Sequence, residues 1–226
     1  MKLTVLALTL ATAATAHADP AELTPTSVHQ AAPAPAFSLG VRVGGYGFRR
    51  EGDTSASSWT ECRMNGVGVF GNRGLRGPLF VEAGLDVYTS QNFPTPANPN
   101  DLPIDRSSGL ISAALGARTT FTSWLGGYVQ LGAGVELTRV SVPWGDDKIR
   151  DNKVMPEGFF GFGGDIKLGK ATYIGASLRT LVMGNFDYDP AQLEMQHWTF
   201  KPSADQVFDA SPSLAAQGQF YLRHDL

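Results

Sequence analysis

The chain has 226 residues, of which 17% are charged, and its net charge is −3. Soluble domains average about 25% charged residues, and nucleic-acid binding requires a basic patch, which this sequence lacks. Composition therefore argues against a nucleic-acid-binding protein, and the 26 glycines favour closely packed strands.

The first 36 residues are expected to lie outside the folded domain. Residues 1–18 have the features of a secretory signal peptide: a basic start, an apolar or small run up to Ala16, and a small-x-small motif that ends at Ala18. A transmembrane helix is the weaker interpretation, because the run is shorter than the ~20 residues that span a bilayer. Residues 19–36 are rich in Ala, Pro, Thr and Ser, so we expect a flexible periplasmic arm.

From residue 37 onward, apolar and polar residues alternate with the period of two that a β-strand requires. Residues 79–88 and 127–141 show the pattern most clearly. In the least regular strand, Cys62, Met64 and Phe70 are expected to share the lipid face. The pattern predicts eight strands, at residues 37–49, 62–71, 79–88, 109–119, 127–141, 154–168, 172–182 and 213–226.

The links between these strands are alternately long and short. The long links are 51–60, 89–108, 143–153 and 183–212, and the short ones are 72–78, 121–126 and 169–171. In an antiparallel meander this alternation places every long link at one end and both termini at the other. The predicted fold class is an all-β, eight-stranded antiparallel up-and-down transmembrane β-barrel over residues 37–226, because closure satisfies every backbone group within the wall.

A soluble β-barrel is the main alternative, with the faces inverted so that the apolar set lines a cavity. The orientation of Leu85, Val135 and Phe160 relative to Glu82, Glu136 and Asp165 distinguishes the two folds.

The aromatic residues are expected to form two girdles at the membrane interfaces, although some of them would serve as core or loop packing. The girdle near the long links comprises Phe48, Tyr88, Phe93, Trp144, Phe186 and Tyr188, and the one near the short turns comprises Phe37, Phe70, Phe80, Trp124, Tyr173 and Tyr221.

The polar faces of the strands place ten charged residues in the lumen. The basic ones are Arg42, Arg118, Lys167, Arg179 and Arg223, and the acidic ones are Glu82, Asp86, Glu136, Glu157 and Asp165. Buried charges are costly unless paired, whereas an ion-selective pore carries an excess of one sign. The balance therefore predicts a largely plugged lumen, and a small porin-like channel is the alternative.

Strand direction divides these charges into two expected networks. Arg42, Asp86, Glu136, Glu157 and Arg179 lie in the half near the long links, and Glu82, Arg118, Asp165, Lys167 and Arg223 lie in the half near the termini. Glu136 is expected to pair with Arg42 or Arg179.

These features together resemble the small outer-membrane barrels of Gram-negative bacteria, of the outer-membrane protein A and X type. The resemblance covers residues 37–226 as architecture. It departs from the family in the last strand, where Phe220 and Leu222 fit the pattern of alternate apolar residues before a final Phe or Trp, but His224 and Leu226 do not. It implies a monomer in the cell outer membrane, inserted by the barrel-assembly machinery and in contact with outer-membrane lipid and lipopolysaccharide. The implied function is envelope integrity, adhesion or restricted solute passage.

Some barrels of this size are lipid-modifying enzymes, whose chemistry requires a Ser, a His and a carboxylate on one patch. The histidines after the signal peptide are His29, His197 and His224, and none is expected near the inward-facing Ser177. We therefore predict no catalytic site, no cofactor and no metal. The acidic and aromatic segment 184–210 is expected to fold over the barrel mouth, to contact a partner or only to pack.

Overall fold

The computed structural model describes residues 37–48, 63–91, 105–144, 146–188 and 208–226. These residues form one closed antiparallel barrel, in which each strand pairs with its neighbours in sequence and the last strand pairs with the first. The strands are β1 (Ser38–Phe48), β2 (Arg63–Gly74), β3 (Leu79–Gln91), β4 (Asp105–Thr120), β5 (Leu125–Trp144), β6 (Asp147–Lys167), β7 (Thr172–Tyr188) and β8 (Phe208–Asp225). The predicted fold class, an eight-stranded up-and-down barrel, is confirmed.

Several sequence predictions fall on other parts of the chain. The signal peptide, the arm, Cys62, His29 and His197 all lie outside the described residues. Within the described ranges there is no helix long and apolar enough to cross a membrane.

The barrel has two unlike ends. At the end that we call the terminal end, the Leu226 amide donates to the Phe37 carbonyl at 3.0 Å, and the neighbouring strands are joined by the short links 75–78, 121–124 and 168–171. At the opposite end, the loop end, the links are 49–62, 92–104, 145–146 and 189–207. The predicted segregation of the links therefore holds for three of the four links at the loop end, and the link 145–146 is the exception.

One predicted long link is wrong. Residues 143–153 belong to a hairpin, because β5 and β6 stay paired as far as Trp144 and Asp147. Beyond the apolar part of the wall the pattern reverses, because the inward residues Val140, Val142 and Ile149 are apolar and buried whereas outward neighbours such as Arg139 and Arg150 are charged and exposed. β4, β7 and β8 also extend further towards the loop end than the alternation predicts.

Every strand turns large apolar side chains outward. On β5 this surface runs from Val129 to Leu137, which corresponds to about 20 Å along the barrel axis at ~3.3 Å per residue and a tilt of ~40°. We call this surface the exterior belt. One exposed member from each strand in turn is Val41, Val69, Leu85, Ile111, Val135, Phe160, Leu178 and Phe220.

The interior is formed by the opposite face of the same strands. Glu82, Glu136 and Asp165 are buried, whereas Leu85 and Val135 are about half exposed on the outside. The inverted arrangement expected of a soluble ligand-binding barrel is therefore absent from the described wall.

The predicted facing of β2 is wrong. Met64 and Phe70 are buried inside the barrel, whereas Val67 and Val69 lie outside. Periodicity does not decide the facing here, because apolar residues occupy both sets of alternate positions. The register decides it, since Gly68 pairs with the inward-facing Arg42 on β1.

Four of the predicted girdle aromatics are also in the interior. Phe70, Phe80, Tyr88 and Tyr221 are all buried, because each occupies one of the alternate positions of its strand that face the lumen. Their rings occupy volume between the charged groups. Trp124, by contrast, is 54% exposed at the terminal end, as expected of a girdle residue.

An apolar cluster fills much of the loop half of the lumen. Its members are Tyr46, Met64, Tyr88, Leu110, Ala114, Phe159, Leu181, Met183 and Ala215. The polar strand faces thus carry more apolar residues than a hydrated lumen requires, which is consistent with an interior that excludes water.

Candidate functional site: the charged lumen

Four buried charges form a central cluster in the lumen. Arg42 binds Asp86 through two hydrogen bonds of 2.6 and 2.5 Å and binds Glu82 at 3.0 Å. Arg179 binds the same Glu82 oxygen at 2.8 Å. The cluster therefore contains two guanidinium groups and two carboxylates, and its net charge is zero. Glu82 was expected with Arg118 and Arg223, and it lines a small cavity with both of them, but its ion pairs are with Arg42 and Arg179.

The backbone register explains how Arg42 reaches Asp86. Arg42 pairs with Gly68 on β2, and Gly68 pairs with Asp86 on β3. The guanidinium group thus crosses a strand that has no side chain at this position. A Cβ atom on Gly68 would collide with the Asp86 carboxylate, and one on Gly84 would collide with Arg42. Two glycines therefore make room for the central cluster.

A second ion pair lies towards the loop end. Glu136 accepts hydrogen bonds from Arg106 at 3.1 Å, Tyr46 at 3.0 Å and Thr138 at 2.5 Å, all on Oε1. The expected partners of Glu136, Arg42 and Arg179, are instead engaged in the central cluster.

Arg106 was not predicted as a lumen residue. Arg106 occupies the same set of alternate, inward-facing positions on β4 as Ser108 and Leu110. Extending the alternation towards the start of the strand would therefore have predicted that Arg106 faces the lumen. The signal is weak because the outward neighbours, Asp105 and Ser107, lie beyond the exterior belt and are polar.

A third group of charges lies near the terminal end. Arg223 pairs with Asp165 at 3.2 Å, and the Tyr221 hydroxyl donates to the Gly164 carbonyl at 3.1 Å. The Arg118 guanidinium carbon lies 4.8 Å from the Phe80 ring centroid and 5.9 Å from that of Tyr128. The rings of Phe80, Tyr128 and Tyr221 thus lie around the Arg118 guanidinium group and the Arg223–Asp165 ion pair.

Two of the remaining predicted residues behave differently from the rest. Glu157 is buried, and its Oε1 has no hydrogen-bond partner within the described part of the chain. Lys167 is exposed at the terminal rim, 5.9 Å from the Tyr173 ring centroid, so its placement inside the lumen is wrong. With Arg106 in place of Lys167, the set contains five basic and five acidic residues: Arg42, Arg106, Arg118, Arg179 and Arg223 with Glu82, Asp86, Glu136, Glu157 and Asp165. Asp151, Lys153 and Asp225 are half-buried as well.

The described residues do not assemble a hydrolytic site. His224 is exposed and its Nδ1 lies 3.0 Å from Thr172 Oγ1, whereas Ser177 is buried 3.4 Å from Gln219 Oε1. No group of three or more His, Cys, Asp or Glu side chains is placed to hold a metal ion in these parts of the chain.

Comparison with known proteins supports the fold assignment. No protein-family model matches the sequence, and no curated protein matches it. The structure is similar to that of neisserial surface protein A, with a TM-score of 0.54 at 12% identity, over 84% of this chain and 97% of that one. The attachment invasion locus protein Ail of Yersinia pestis gives a TM-score of 0.48 at 12% identity, over 84% and 99% of the two chains. The chain has the fold of the small eight-stranded outer-membrane barrels, and the likeness extends to the fold alone.

Proposed function

We propose that this protein is a monomeric integral barrel of the Gram-negative outer membrane whose lumen is closed by paired charges. Its role is structural, in envelope integrity, or that of a rigid scaffold that presents the loop end to the cell surroundings. The signal peptide delivers it to the periplasm, and the barrel-assembly machinery inserts it with the terminal end facing the periplasm. It carries out no catalysis in this role.

The exterior belt is the observation that carries the proposal. Large apolar side chains are exposed on all eight strands, whereas soluble monomers rarely expose a contiguous apolar patch beyond a few hundred Å². A closed barrel with an apolar exterior and a polar interior is the β-structure that satisfies its backbone in a bilayer. Outer-membrane lipid and lipopolysaccharide are therefore the partners that match this surface.

The interior favours a structural role over solute passage. An eight-stranded barrel is about wide enough for side chains to fill it, and here the apolar cluster and the central cluster occupy successive levels of the lumen. A small porin-like channel is the second candidate, because charged residues do line the wall along its length.

Cell fractionation and electrophoresis test the proposal together. The mature protein should fractionate with outer membranes, and its folded form should migrate faster on a gel before boiling than after. A soluble periplasmic product whose mobility does not depend on heating would contradict it.

A further inference from the structure

A groove of about 770 Å³ lies on the outside of the barrel, in the half nearer the terminal end. Gly71 on β2 and Ala83 on β3 form its floor, because they pair directly in the register and carry the smallest side chains on this part of the wall. Leu39, Val69 and Leu85, each about half exposed, form its sides. The groove is thus a depression in the exterior belt.

The missing side chain at Gly71 keeps the groove open. A Cβ atom at this position would lie 3.3 Å from the Phe37 ring and 3.5 Å from the Leu39 side chain. If the belt faces lipid, an empty apolar groove is unfavourable, since its walls have no atoms to contact on one side. A hydrocarbon chain supplies those contacts, so the part of the occupant that lies here is apolar.

The groove becomes polar towards the terminal end. His224 and Thr172 line it there, with His224 Nδ1 3.0 Å from Thr172 Oγ1. Arg73 is the next outward residue on β2 after Gly71, about 7 Å further towards that end at ~3.3 Å per residue. Its side chain is exposed and forms no ion pair with the described residues. An apolar groove that ends beside a cation fits an amphipathic molecule with an acidic head.

The exposed charges at the two ends of the barrel differ in sign. Within the described ranges, the exposed charged side chains at the terminal end are all basic: Arg73, Arg76, Lys167 and Lys170. At the loop end the exposed charges are evenly divided: Asp105, Asp146 and Asp147 with Arg139, Lys148 and Arg150. The basic rim therefore favours an anionic surface at the terminal end.

Two acidic groups do lie near this rim. Asp225 is half-buried, 4.0 Å from Arg223 Nε, and Leu226 carries the other carboxylate. Both lie at the end of β8, whereas Arg73 is on β2, on the far side of β1. Arg73 therefore remains available to an anion from outside the barrel.

A second copy of the chain fits the groove less well than a lipid does. Two barrels inserted in the same direction would associate through a symmetric interface, in which the same patch of each meets the other. Two grooves would then face each other, and the two Arg73 side chains would approach. Shape and charge both oppose this contact.

We propose that the groove binds an anionic glycerophospholipid of the periplasmic leaflet, with an acyl chain over Gly71 and Ala83 and the phosphate at Arg73. This inference rests on the membrane insertion proposed above and assigns one lipid class to one part of the belt. A basic residue near an anionic lipid surface contributes a factor of about five in affinity, equivalent to about 1 kcal/mol.

Native mass spectrometry tests which lipid stays bound. The refolded mature protein is inserted into vesicles of equal phosphatidylglycerol and phosphatidylcholine and then extracted in mild detergent. It should retain one phosphatidylglycerol in about fivefold preference to phosphatidylcholine. The Arg73→Gln variant should lose this preference. The control Arg150→Gln removes the same charge from an exposed position at the loop end and should keep it.

A second pair of variants tests the groove itself. Ala83→Phe should fill the floor and reduce the bound phosphatidylglycerol, whereas Ala133→Phe, at an exposed outward position on β5 away from the groove, should not. Gel mobility before boiling shows that each variant is folded.

Three results would overturn the inference: equal retention of the two lipids, equal effects of the two arginine variants, or a dimer that retains no lipid. If the unmodified protein inserts and shows no preference, this inference alone fails. If the protein does not insert into vesicles, the proposed function fails with it.

Discussion

Arg42 on β1 binds Asp86 on β3 through two hydrogen bonds that pass over Gly68 on the strand between them. This ion pair links β1 directly to β3 across β2 through side chains, in addition to the backbone ladder. The pair depends on the missing side chain at Gly68, because a Cβ there would collide with the Asp86 carboxylate.

Gly68→Ala should therefore destabilise the barrel. Overpacking a well-filled interior costs about 1–3 kcal/mol, and the separated charges would add to this loss. Urea unfolding of the refolded protein measures it. Gly158→Ala is the matched control, because a Cβ at Gly158 would meet no atom within 4 Å. If the two variants have the same free energy of unfolding, the passage of Arg42 over Gly68 does not contribute to stability.

Glu136→Ala should be strongly destabilising, since it removes the buried carboxylate that accepts hydrogen bonds from Arg106, Tyr46 and Thr138. Breaking a buried pair from one side costs about 3–5 kcal/mol. Asp105→Ala removes the exposed partner of Lys148 and should cost about 0–1 kcal/mol. Urea unfolding compares both variants. Small and equal losses would indicate that Glu136 is hydrated in an open lumen, in favour of the channel.

The Arg106→Met variant tests whether Arg106 is the partner of Glu136. In a double-mutant cycle with Glu136→Gln, the two substitutions should be non-additive, with a coupling energy of about 0.5–3 kcal/mol. The same cycle with Arg179→Met should give a smaller coupling, because Arg179 binds Glu82. A larger coupling energy with Arg179 than with Arg106 would instead support the pairing of Glu136 that was predicted from the sequence.

Leu131→Arg should show which solvent the exterior belt faces. Leu131 is 67% exposed, and an arginine on the lipid face near the bilayer midplane costs about 2–4 kcal/mol. Ser107→Arg, beyond the belt, should cost about 0–1 kcal/mol. Folding stability in phospholipid vesicles measures both. Tolerance of arginine at residue 131 would mean that this surface is in water.

Conductance in a planar lipid bilayer should be low. The side chains of the central cluster and the apolar cluster pack inside the lumen, so we expect no continuous hydrated path for ions. Glu82→Ala should increase the current, because it removes the carboxylate that joins Arg42 to Arg179. Large, long-lived open states in the unmodified protein would favour the porin-like channel.

The eight strands, and the placement of three of the four long links at one end, were predictable from sequence. In residues 79–88 and 127–141, a wall between lipid and a polar interior imposes alternation at every position, so the pattern identifies each face. Where that requirement ends, the prediction fails. The hairpin at Trp144 and Asp147 lies beyond the belt, where apolar residues such as Val140 and Ile149 face inward instead of outward.

The candidate site was predictable as a set of residues, and less so as a set of contacts. Parity placed Arg42, Asp86, Glu136 and Arg223 in the interior, where the structure has them buried. The alternation does not determine which side chains meet. Glu136 pairs with Arg106, and Glu82 pairs with both Arg42 and Arg179, because the strand register sets the position of each residue along the barrel axis.

A local period of two is enough to predict the barrel class, the strand number and the side of the wall on which most charges lie. The inward facing of Met64 and Phe70 and the passage of Arg42 over Gly68 follow only from the assembled barrel. Each of these depends on the register between strands and on the closure of β1 against β8. Register brings together residues that are distant in the chain, and no local pattern contains that information.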